Sequence, residues 1–263
     1  MSRDEQREIV ERRTLLRGAV GSTVHGLHHE GQDDRDEMAI FVEPPEFVVG
    51  LRLARSGAGW HQFEHYVERT QPEGARSGPG DLDLVAYSLR KWLRLALAGN
   101  PTVLLLLFSP PETLLVCTER GRALRELAPA IVSRQAGPRY VGYMRTQKER
   151  LIGTRGQRNV NRPELVAAHG FDTKYAMHVA RLGYQGIELL TTGRLTLPIS
   201  EPARSRVMAI RRGDVTFAEA LAEIEDVERR LADAVVESPL PEQPDRARVD
   251  RFLVDAYREA WEW

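Results

Sequence analysis

The stretch LLRGAVGSTVHGLHHEGQDDRDEMAIFV, residues 15–42, carries two apolar segments joined by a Gly-Ser turn and an acidic run. Residues 15–20 predict a short buried strand that ends at Gly21-Ser22. Such a turn presents successive backbone N–H groups and a hydroxyl, and a concavity of this kind binds phosphate oxygens well. Gly-Ser is also a common turn in proteins, so this pattern by itself leaves phosphate binding open.

The acidic run from Asp33 to Glu37 leads directly into the apolar residues 38–42. Since side chains alternate along a strand, Asp34 and Asp36 share one face if the strand begins within the run. Two carboxylates on one face repel unless a cation lies between them. Mg²⁺, with Mn²⁺ as the alternative, suits such oxygen ligands and can also bind substrate phosphates. An acidic run is more often a solvated loop, and that interpretation stays open.

A third carboxylate, Asp83, is flanked by leucine on both sides in a segment with strand character. A carboxylate within a buried strand needs a partner, and a cation shared with Asp34 and Asp36 would supply it. The turn, the two-Asp strand and the third Asp together give the layout of a two-metal phosphoryl-transfer site, whose ions lie ~3.5–4 Å apart. The alternative is an exposed strand face on which Asp81 and Asp83 are solvated.

The pattern changes from strands to helices near residue 100. Strands are predicted at 36–42, 47–55, 60–70 and 81–87, with loops at 23–32 and 71–80, and Ser88 can cap a helix that runs to about Ala98. Apolar spacing of three to four then predicts helices at 118–135, 139–152, 172–192, 216–236 and 246–261, with one short strand at 195–199. The predicted fold class is α+β, a small mixed sheet with flanking helices followed by a helical C-terminal part.

The composition, 42% apolar and 29% charged residues, is that of an ordinary globular protein rather than a disordered one. The 37 basic and 38 acidic residues exclude a whole-chain basic field for nucleic acid. The single cysteine, Cys117, excludes an internal disulfide and a thiolate zinc cluster. The charged N-terminus has no signal-peptide pattern and the longest apolar run, 103–108, is too short to cross a membrane, so we expect a cytoplasmic protein with no membrane partner.

These motifs make the sequence similar to the DNA polymerase beta nucleotidyltransferase superfamily. Within it, the sequence resembles the predicted nucleotidyltransferases found beside RNA ligases, the RlaP-type family. That family shares a Gly-Ser-x-x-[Tyr/His]-Gly stretch, an Asp-x-Asp strand, a third Asp before Leu-Val, and a Leu-Arg-Lys helix ending in Gly-Asn-Pro. The corresponding segments here are Gly21–Gly26, Asp34–Asp36, Asp83–Val85, Leu89–Lys91 and Gly99–Pro101, and the likeness continues into Lys174–Arg181.

The sequence departs from the family pattern before the first aspartate. Matching Asp34 and Asp36 to the motif requires one extra residue in the preceding loop. Without that residue Asp33 pairs with Arg35, which makes no metal site, so Asp34 and Asp36 are preferred and Asp33 remains the alternative. His25 stands where a Tyr is expected.

The resemblance implies an enzyme that moves a nucleoside monophosphate from an NTP to a hydroxyl acceptor, with release of pyrophosphate, by two-metal phosphoryl transfer. It implies that Gly21 and Ser22 hold the outer phosphates and that Asp34 and Asp36 bind both metal ions. Asp83 would bind the catalytic ion and help to deprotonate the acceptor.

The resemblance also implies a division of labour along the chain. Residues 1–100 would be the nucleotidyltransferase catalytic core, and residues 101–263 a helical domain that completes the substrate cleft. RNA is one candidate acceptor. The sequence identifies neither the acceptor, nor the preferred base, nor the oligomeric state.

Further cationic residues are candidates for contact with the nucleotide. Lys174, His178 and Arg181 stand at i, i+4 and i+7, so they share one helix face that either binds phosphate or is simply solvated. Lys91, in the Leu-Arg-Lys helix, is a similar candidate. Residues 153–162 carry three arginines and no acid, which indicates either a loop for nucleic acid or triphosphate or an ordinary surface connection.

Two other functions stay open at this point. The first is a catalytically silent module that binds nucleotide or RNA, and the second is a toxin-type nucleotidyltransferase that acts on tRNA or protein. The intact set of three aspartates favours an active enzyme over the silent module.

Overall fold

The computed structural model describes residues 1–27, 35–56, 59–72, 74–75, 77–78, 80–153 and 162–263. Its backbone contacts divide the chain into two compact units. The first unit comprises Met1–Leu97, Val103–Ile131 and Asp245–Trp263, and the second comprises Ala98–Thr102 and Val132–Pro244. These units differ from a division at residue 100, because segments after that residue pack with the sheet. The assignment of a catalytic core and a cleft-completing helical part stays a prediction.

Up to residue 131 the chain alternates strands with short helices. In order, the elements are α1 (Arg3–Arg13), β1 (Thr14–Ala19), α2 (Gly21–His25), β2 (Arg35–Phe41), a 3₁₀ turn (Pro45–Phe47), β3 (Ala54–Ser56), β4 (Gly59–His61), β5 (His65–Arg69), β6 (Leu82–Ser88), α3 (Leu89–Leu97), α4 (Pro101–Phe108), a second 3₁₀ turn (Pro111–Thr113), β7 (Leu114–Cys117), α5 (Glu119–Glu126) and α6 (Ala128–Ile131).

The rest of the described chain is helical. Its elements are α7 (Ala136–Ile152), α8 (Pro163–His169), α9 (Thr173–Thr192), α10 (Ala203–Arg212), α11 (Phe217–Glu237) and α12 (Arg246–Trp261). Among the described residues, no single helix is long and apolar enough for a membrane span; α3 and α4 meet that length and composition only when counted as a pair, and they are bent by 107°.

A mixed sheet of five strands, in the order β5-β6-β2-β1-β7, forms the centre of the first unit. β2 and β6 run parallel, and the other neighbours run antiparallel. β2 is central because its residues from Met38 to Phe41 are almost fully buried, and Pro44-Pro45 ends the run after it. The predicted α+β class is confirmed.

One face of this sheet packs on an aromatic core. The ring of Phe63 lies 5.0 Å from that of Phe41 and 5.5 Å from that of Phe47, measured between centroids. Ala39 and Phe41 of β2 face this cluster. Asp36 has the opposite parity, so its side chain belongs to the other face of the sheet.

Two segments that were each predicted as one continuous strand, 47–55 and 60–70, do not form one. The segment 47–55 is not one strand, because the N–H groups of Val48, Val49 and Gly50 all return to the carbonyl of Pro45, at 3.0, 2.9 and 3.3 Å, and form a local turn. The segment 60–70 is two strands, β4 and β5. Phe63 lies between them and turns into the core, whereas Val67 on β5 is 36% exposed.

Two further predictions are corrected. The predicted loop at 23–32 begins as helix α2, which extends to His25, and residues 28–34 lie outside the described part of the chain. No strand forms at 195–199 within the described residues, although the predicted alternation is present, since Leu195, Leu197 and Ile199 are buried.

The predicted helix caps are confirmed. The Ser88 hydroxyl accepts a hydrogen bond from the Lys91 N–H at 3.2 Å, so it caps α3. Thr216 and Glu219 form the capping box of α11, in which each side chain accepts a hydrogen bond from the other residue's N–H. Asp172 caps α9 by accepting from the Tyr175 N–H at 2.9 Å.

The C-terminal helix α12 packs with the sheet unit through Glu43, which is 3% exposed. The Tyr257 hydroxyl donates to Glu43 Oε2 and the Trp261 indole donates to the Glu43 carbonyl, both at 2.8 Å. Burial raises the pKa of the Glu43 carboxyl, although hydrogen bonds and the Arg90 charge oppose the shift. An ionised Glu43 therefore lowers the free energy of unfolding at neutral pH.

We expect Glu43→Gln to raise the free energy of unfolding at pH 7 by about 1 kcal/mol, because the amide keeps an acceptor for Tyr257 without a buried charge. The raised pKa means that the stability contributed by protonated Glu43 is present in full below its unfolded value and is lost as pH rises through the folded value. The stability advantage of Glu43→Gln over wild type should therefore vanish near pH 4.

Urea unfolding of both proteins at pH 7 and at pH 4 measures this difference in the free energy of unfolding. A Glu43→Gln variant that is less stable than wild type at pH 7 would contradict the assignment.

Candidate active site

Asp36 and Asp83 lie side by side near the first residues of two parallel strands. They are register partners in the β2–β6 ladder, so both carboxylates stand on the same face of the sheet. Adjacent strands are ~4.8 Å apart, which brings the two side chains within reach of one ion. Asp36 is half-buried and the Asp83 side chain is 23% exposed, so neither is simply a solvated surface acid.

The Gly-Ser turn meets the Asp36 carboxylate directly. A Cβ atom at Gly21 would lie 2.1 Å from Asp36 Oδ2, and Gly21 has a φ of +70°, a region that residues with side chains rarely adopt. The Val20 N–H also donates to the Asp36 carbonyl at 2.8 Å. Ser22 follows as the second residue of α2 and is half-buried. The structure therefore brings Gly21 and Asp36 together and places Ser22 next along α2, while the phosphate-binding role of Gly21 and Ser22 stays a prediction.

Arg69 on β5 is a neighbour that the sequence did not reveal. It is the register partner of Asp83, and its Nε lies 3.3 Å from Oδ1 and 3.2 Å from Oδ2 of that carboxylate. The guanidinium neutralises Asp83 in the absence of a divalent cation. The alternation along residues 60–70 could have indicated a cation here only if β5 had been paired with β6 beforehand.

Glu37 belongs to the acidic run, but its side chain does not lie on the sheet face that carries Asp36 and Asp83. It is 4% exposed and points to the opposite side of β2, where Arg17 Nη2 lies 2.5 Å from Oε2 and Arg35 Nη2 lies 2.9 Å from Oε1. Two arginines thus satisfy this carboxylate, as a buried charge requires. The strand that carries Asp36 is fixed by this ion-pair network on its other face.

The predicted nucleotide-binding residue Lys91 is engaged elsewhere. Its Nζ lies 3.3 Å from Glu64 Oε2, and Arg94, one turn later on α3, also pairs with Glu64. The role of Lys91 in nucleotide binding stays a prediction.

The model of the RlaP family, described as an RNA repair pathway DNA polymerase beta family, matches residues 1–255 of this sequence. The chain belongs to this family. Membership supports an enzyme, a nucleotidyltransferase of the polymerase beta type, and confirms the predicted resemblance.

The comparison with solved structures finds a nucleotidyltransferase-like protein from Exiguobacterium sibiricum 255-15. It is 12% identical, covers 98% of this chain and 80% of its own, and has a TM-score of 0.31. No curated protein matches the sequence.

The residues present fit a divalent cation of the kind that an RlaP nucleotidyltransferase implies. Mg²⁺ is commonly held by one or two carboxylates together with substrate phosphates, and Asp36 and Asp83 offer two such carboxylates beside the Gly21 turn. Asp34, and its alternative Asp33, lie outside the described residues. Among the residues that the structure does describe, no group of three or more His, Cys, Asp or Glu side chains could hold a metal ion.

In the second unit, Lys174, His178 and Arg181 lie on α9, and all three are half-buried rather than solvated. Arg181 Nη2 lies 2.7 Å from His178 Nδ1, so these two side chains share a helix face as predicted. Their role in binding nucleotide is not tested by this arrangement. Of the arginine-rich segment 153–162, residues 154–161 lie outside the described part of the chain.

Proposed function

We propose that this member of the RlaP family is a metal-dependent nucleotidyltransferase that moves a nucleoside monophosphate from an NTP to a hydroxyl acceptor and releases pyrophosphate. The observation that carries the proposal is the pairing of Asp36 with Asp83 on one sheet face, with Gly21 against the Asp36 carboxylate. A phosphate-binding turn and two cation ligands are thereby adjacent, and phosphoryl transfer depends chiefly on such positioning.

Each residue of this site has a distinct part in the proposal. Asp36 and Asp83, together with Asp34, would hold Mg²⁺ or Mn²⁺, and the cation supplies neutralisation of the negative charge on the phosphates when it is bound. The Gly21 and Ser22 N–H groups and the Ser22 hydroxyl would donate to the outer phosphates. Asp83, partly open to solvent, would accept the proton of the attacking hydroxyl.

Cationic residues outside this cluster complete the proposal. Lys91, Lys174, His178 and Arg181 would contact phosphate groups of the nucleotide or the acceptor. RNA is the proposed acceptor, because the family is described as part of an RNA repair pathway.

The proposal is tested by label transfer. Each α-³²P-labelled NTP is incubated with the full chain, Mg²⁺ and total RNA, and wild type is compared with Asp83→Asn and with Asp250→Asn, an exposed acid on α12. We expect transfer by wild type and Asp250→Asn, and loss with Asp83→Asn or with EDTA. Transfer that survives Asp83→Asn would overturn the assignment.

The same experiment separates the two alternative functions. Tight NTP binding without transfer to RNA, protein or small acceptors would indicate a silent module. Transfer to protein or tRNA alone would indicate a toxin-type enzyme.

Removing Arg69 should make the divalent cation bind more tightly, because its guanidinium competes for Asp83. An exposed ion pair is worth ~0.2–1 kcal/mol, so Arg69→Ala should lower the half-saturating Mg²⁺ concentration for transfer by up to about fivefold. Arg7→Ala is the matched control, since Arg7 is similarly exposed, at 55% against 59%, and pairs with Glu11. A higher Mg²⁺ requirement in Arg69→Ala would show instead that Arg69 assists binding.

A further inference from the structure

The first half of α9 concentrates positive charge. From Thr173 to Ile187 the sequence contains Lys174, His178 and Arg181 and no acidic residue. Two arginines from other segments of the same unit, Arg162 and Arg211, lie close enough to affect the titration of its neighbours.

The carboxylate of Asp172, which lies just before α9, already has two partners within the chain. It is 5% exposed, its Oδ1 accepts from the Tyr175 N–H at 2.9 Å to cap α9, and its Oδ2 lies 3.5 Å from Arg162 Nη1. Asp172 therefore pairs with Arg162, and among the described residues no ion pair joins it to Arg181.

His178 acts in this cluster as a neutral donor. The Arg181 guanidinium has only donors, so its Nη2 donates to His178 Nδ1, and the ring proton must lie on Nε2. Burial, followed by the charges of Arg181 and Arg162, lowers the pKa of His178 to about 3. The imidazole is therefore uncharged at neutral pH and keeps one N–H donor.

Arg181 itself lacks an anionic partner. Among the described residues no carboxylate forms an ion pair with it, and its buried Nε has no hydrogen-bond acceptor. Burial lowers the pKa of its guanidinium to about 10, with Tyr140 opposing the shift. The Tyr140 hydroxyl, in a residue that is 1% exposed, also has no partner in the described part of the chain. A half-buried cation whose inner N–H has no acceptor, with an unused hydroxyl donor nearby, is costly unless an anion binds there.

We infer that Arg181, His178 and Tyr140 form a metal-independent site for a phosphate group, with Arg181 as its anchor. A planar guanidinium binds phosphate oxygens in a bidentate manner, and the neutral imidazole and the phenol add donors without adding charge. The phosphate has two possible sources, the triphosphate of the nucleotide or a phosphate of the RNA acceptor. The site deepens the proposed function, in which His178 and Arg181 contact a phosphate group, and the choice of source rests on that function.

Calorimetry on the full chain in EDTA tests the site without catalysis. The probes are tripolyphosphate, a short single-stranded RNA with a 5′-phosphate, and the same RNA without it. We expect wild type to bind at least one phosphorylated probe, and Arg181→Gln to bind it at least tenfold more weakly. Arg204→Gln, which changes an exposed arginine on α10 that pairs with Glu201, should match wild type.

Thermal unfolding separates a binding role from a structural one. The probe should raise the Tm of wild type but not that of Arg181→Gln. If Arg181→Gln does not fold, Tyr140→Phe replaces it, with an expected loss of several-fold in affinity. Tripolyphosphate binding assigns the site to the nucleotide, and binding only of the 5′-phosphorylated RNA assigns it to the acceptor. No binding by wild type, or equal binding by Arg181→Gln, overturns the site while leaving the Asp36–Asp83 proposal untouched.

Discussion

Asp36→Asn is expected to lower the rate of nucleotidyl transfer at least about a thousandfold, a loss of ~4 kcal/mol of transition-state stabilisation. The amide cannot neutralise a divalent cation, although it keeps the shape of the side chain beside Gly21. The loss should appear in single-turnover transfer from labelled NTP at saturating Mg²⁺.

Asp250→Asn provides the control for this substitution, because it removes one exposed carboxylate from the same unit. Circular dichroism and urea unfolding should show that Asp36→Asn remains folded. Transfer within tenfold of wild type would exclude Asp36 as a cation ligand.

Gly21→Ala should have the second-largest effect, through two separable causes. A φ of +70° strains any residue with a side chain, at a cost of ~1–3 kcal/mol in stability. The new methyl group also meets Asp36 Oδ2 at 2.1 Å and must displace the carboxylate. Since a misplacement of ~1 Å can cost 10²-fold in rate, we expect roughly a hundredfold loss of transfer.

Gly80→Ala is a matched control for the backbone component. Gly80 has a φ of +84°, and a Cβ atom there meets nothing within 4 Å. It should lose stability to a similar extent and keep its transfer activity. If Gly80→Ala lost as much activity as Gly21→Ala, general destabilisation would explain the loss in both variants. The contact between residue 21 and Asp36 would then have no effect of its own on the rate of transfer.

The elements that the sequence predicted well are those specified locally. β2 is a run of buried apolar residues bounded by two prolines, and the caps at Ser88 and Thr216 satisfy helix N–H groups within three residues of themselves. Such signals do not depend on the rest of the chain. They identified most of the long helices and the three strands at the centre of the sheet.

The errors occurred where a partner strand decides the outcome. Val49 and Leu51 lie in a segment that was predicted to be a strand, yet they are 67% and 98% exposed. The turn after Pro45 leaves them without a neighbouring strand. Residues 195–199 alternate correctly but likewise have no strand to pair with in the described chain. Hydrophobic alternation indicates an extended backbone, whereas sheet formation requires a second strand in register.

The same limit applies to the candidate site. The spacing within the acidic run predicted that Asp34 and Asp36 share one strand face, of which Asp36 is among the described residues, and the contact of Asp36 with Gly21 follows from the turn before the run. The pairing of Asp83 with Arg69 could not be predicted, because it depends on the register between β5 and β6. Tyr140 and Arg181 come from different helices, so their proximity also lay beyond the sequence pattern.

Direct titration of Mn²⁺ in the presence of ATP, followed by the electron paramagnetic resonance signal of free Mn²⁺, tests most directly whether Asp36 and Asp83 share an ion. We expect Asp36→Asn and Asp83→Asn each to raise the Kd of Mn²⁺ at least about tenfold, a change of ~1.4 kcal/mol, with Asp250→Asn unchanged. The double variant should be little worse than either single one, because one ion is lost in each case. Mn²⁺ affinities equal to wild type in both single variants would contradict the shared cation site.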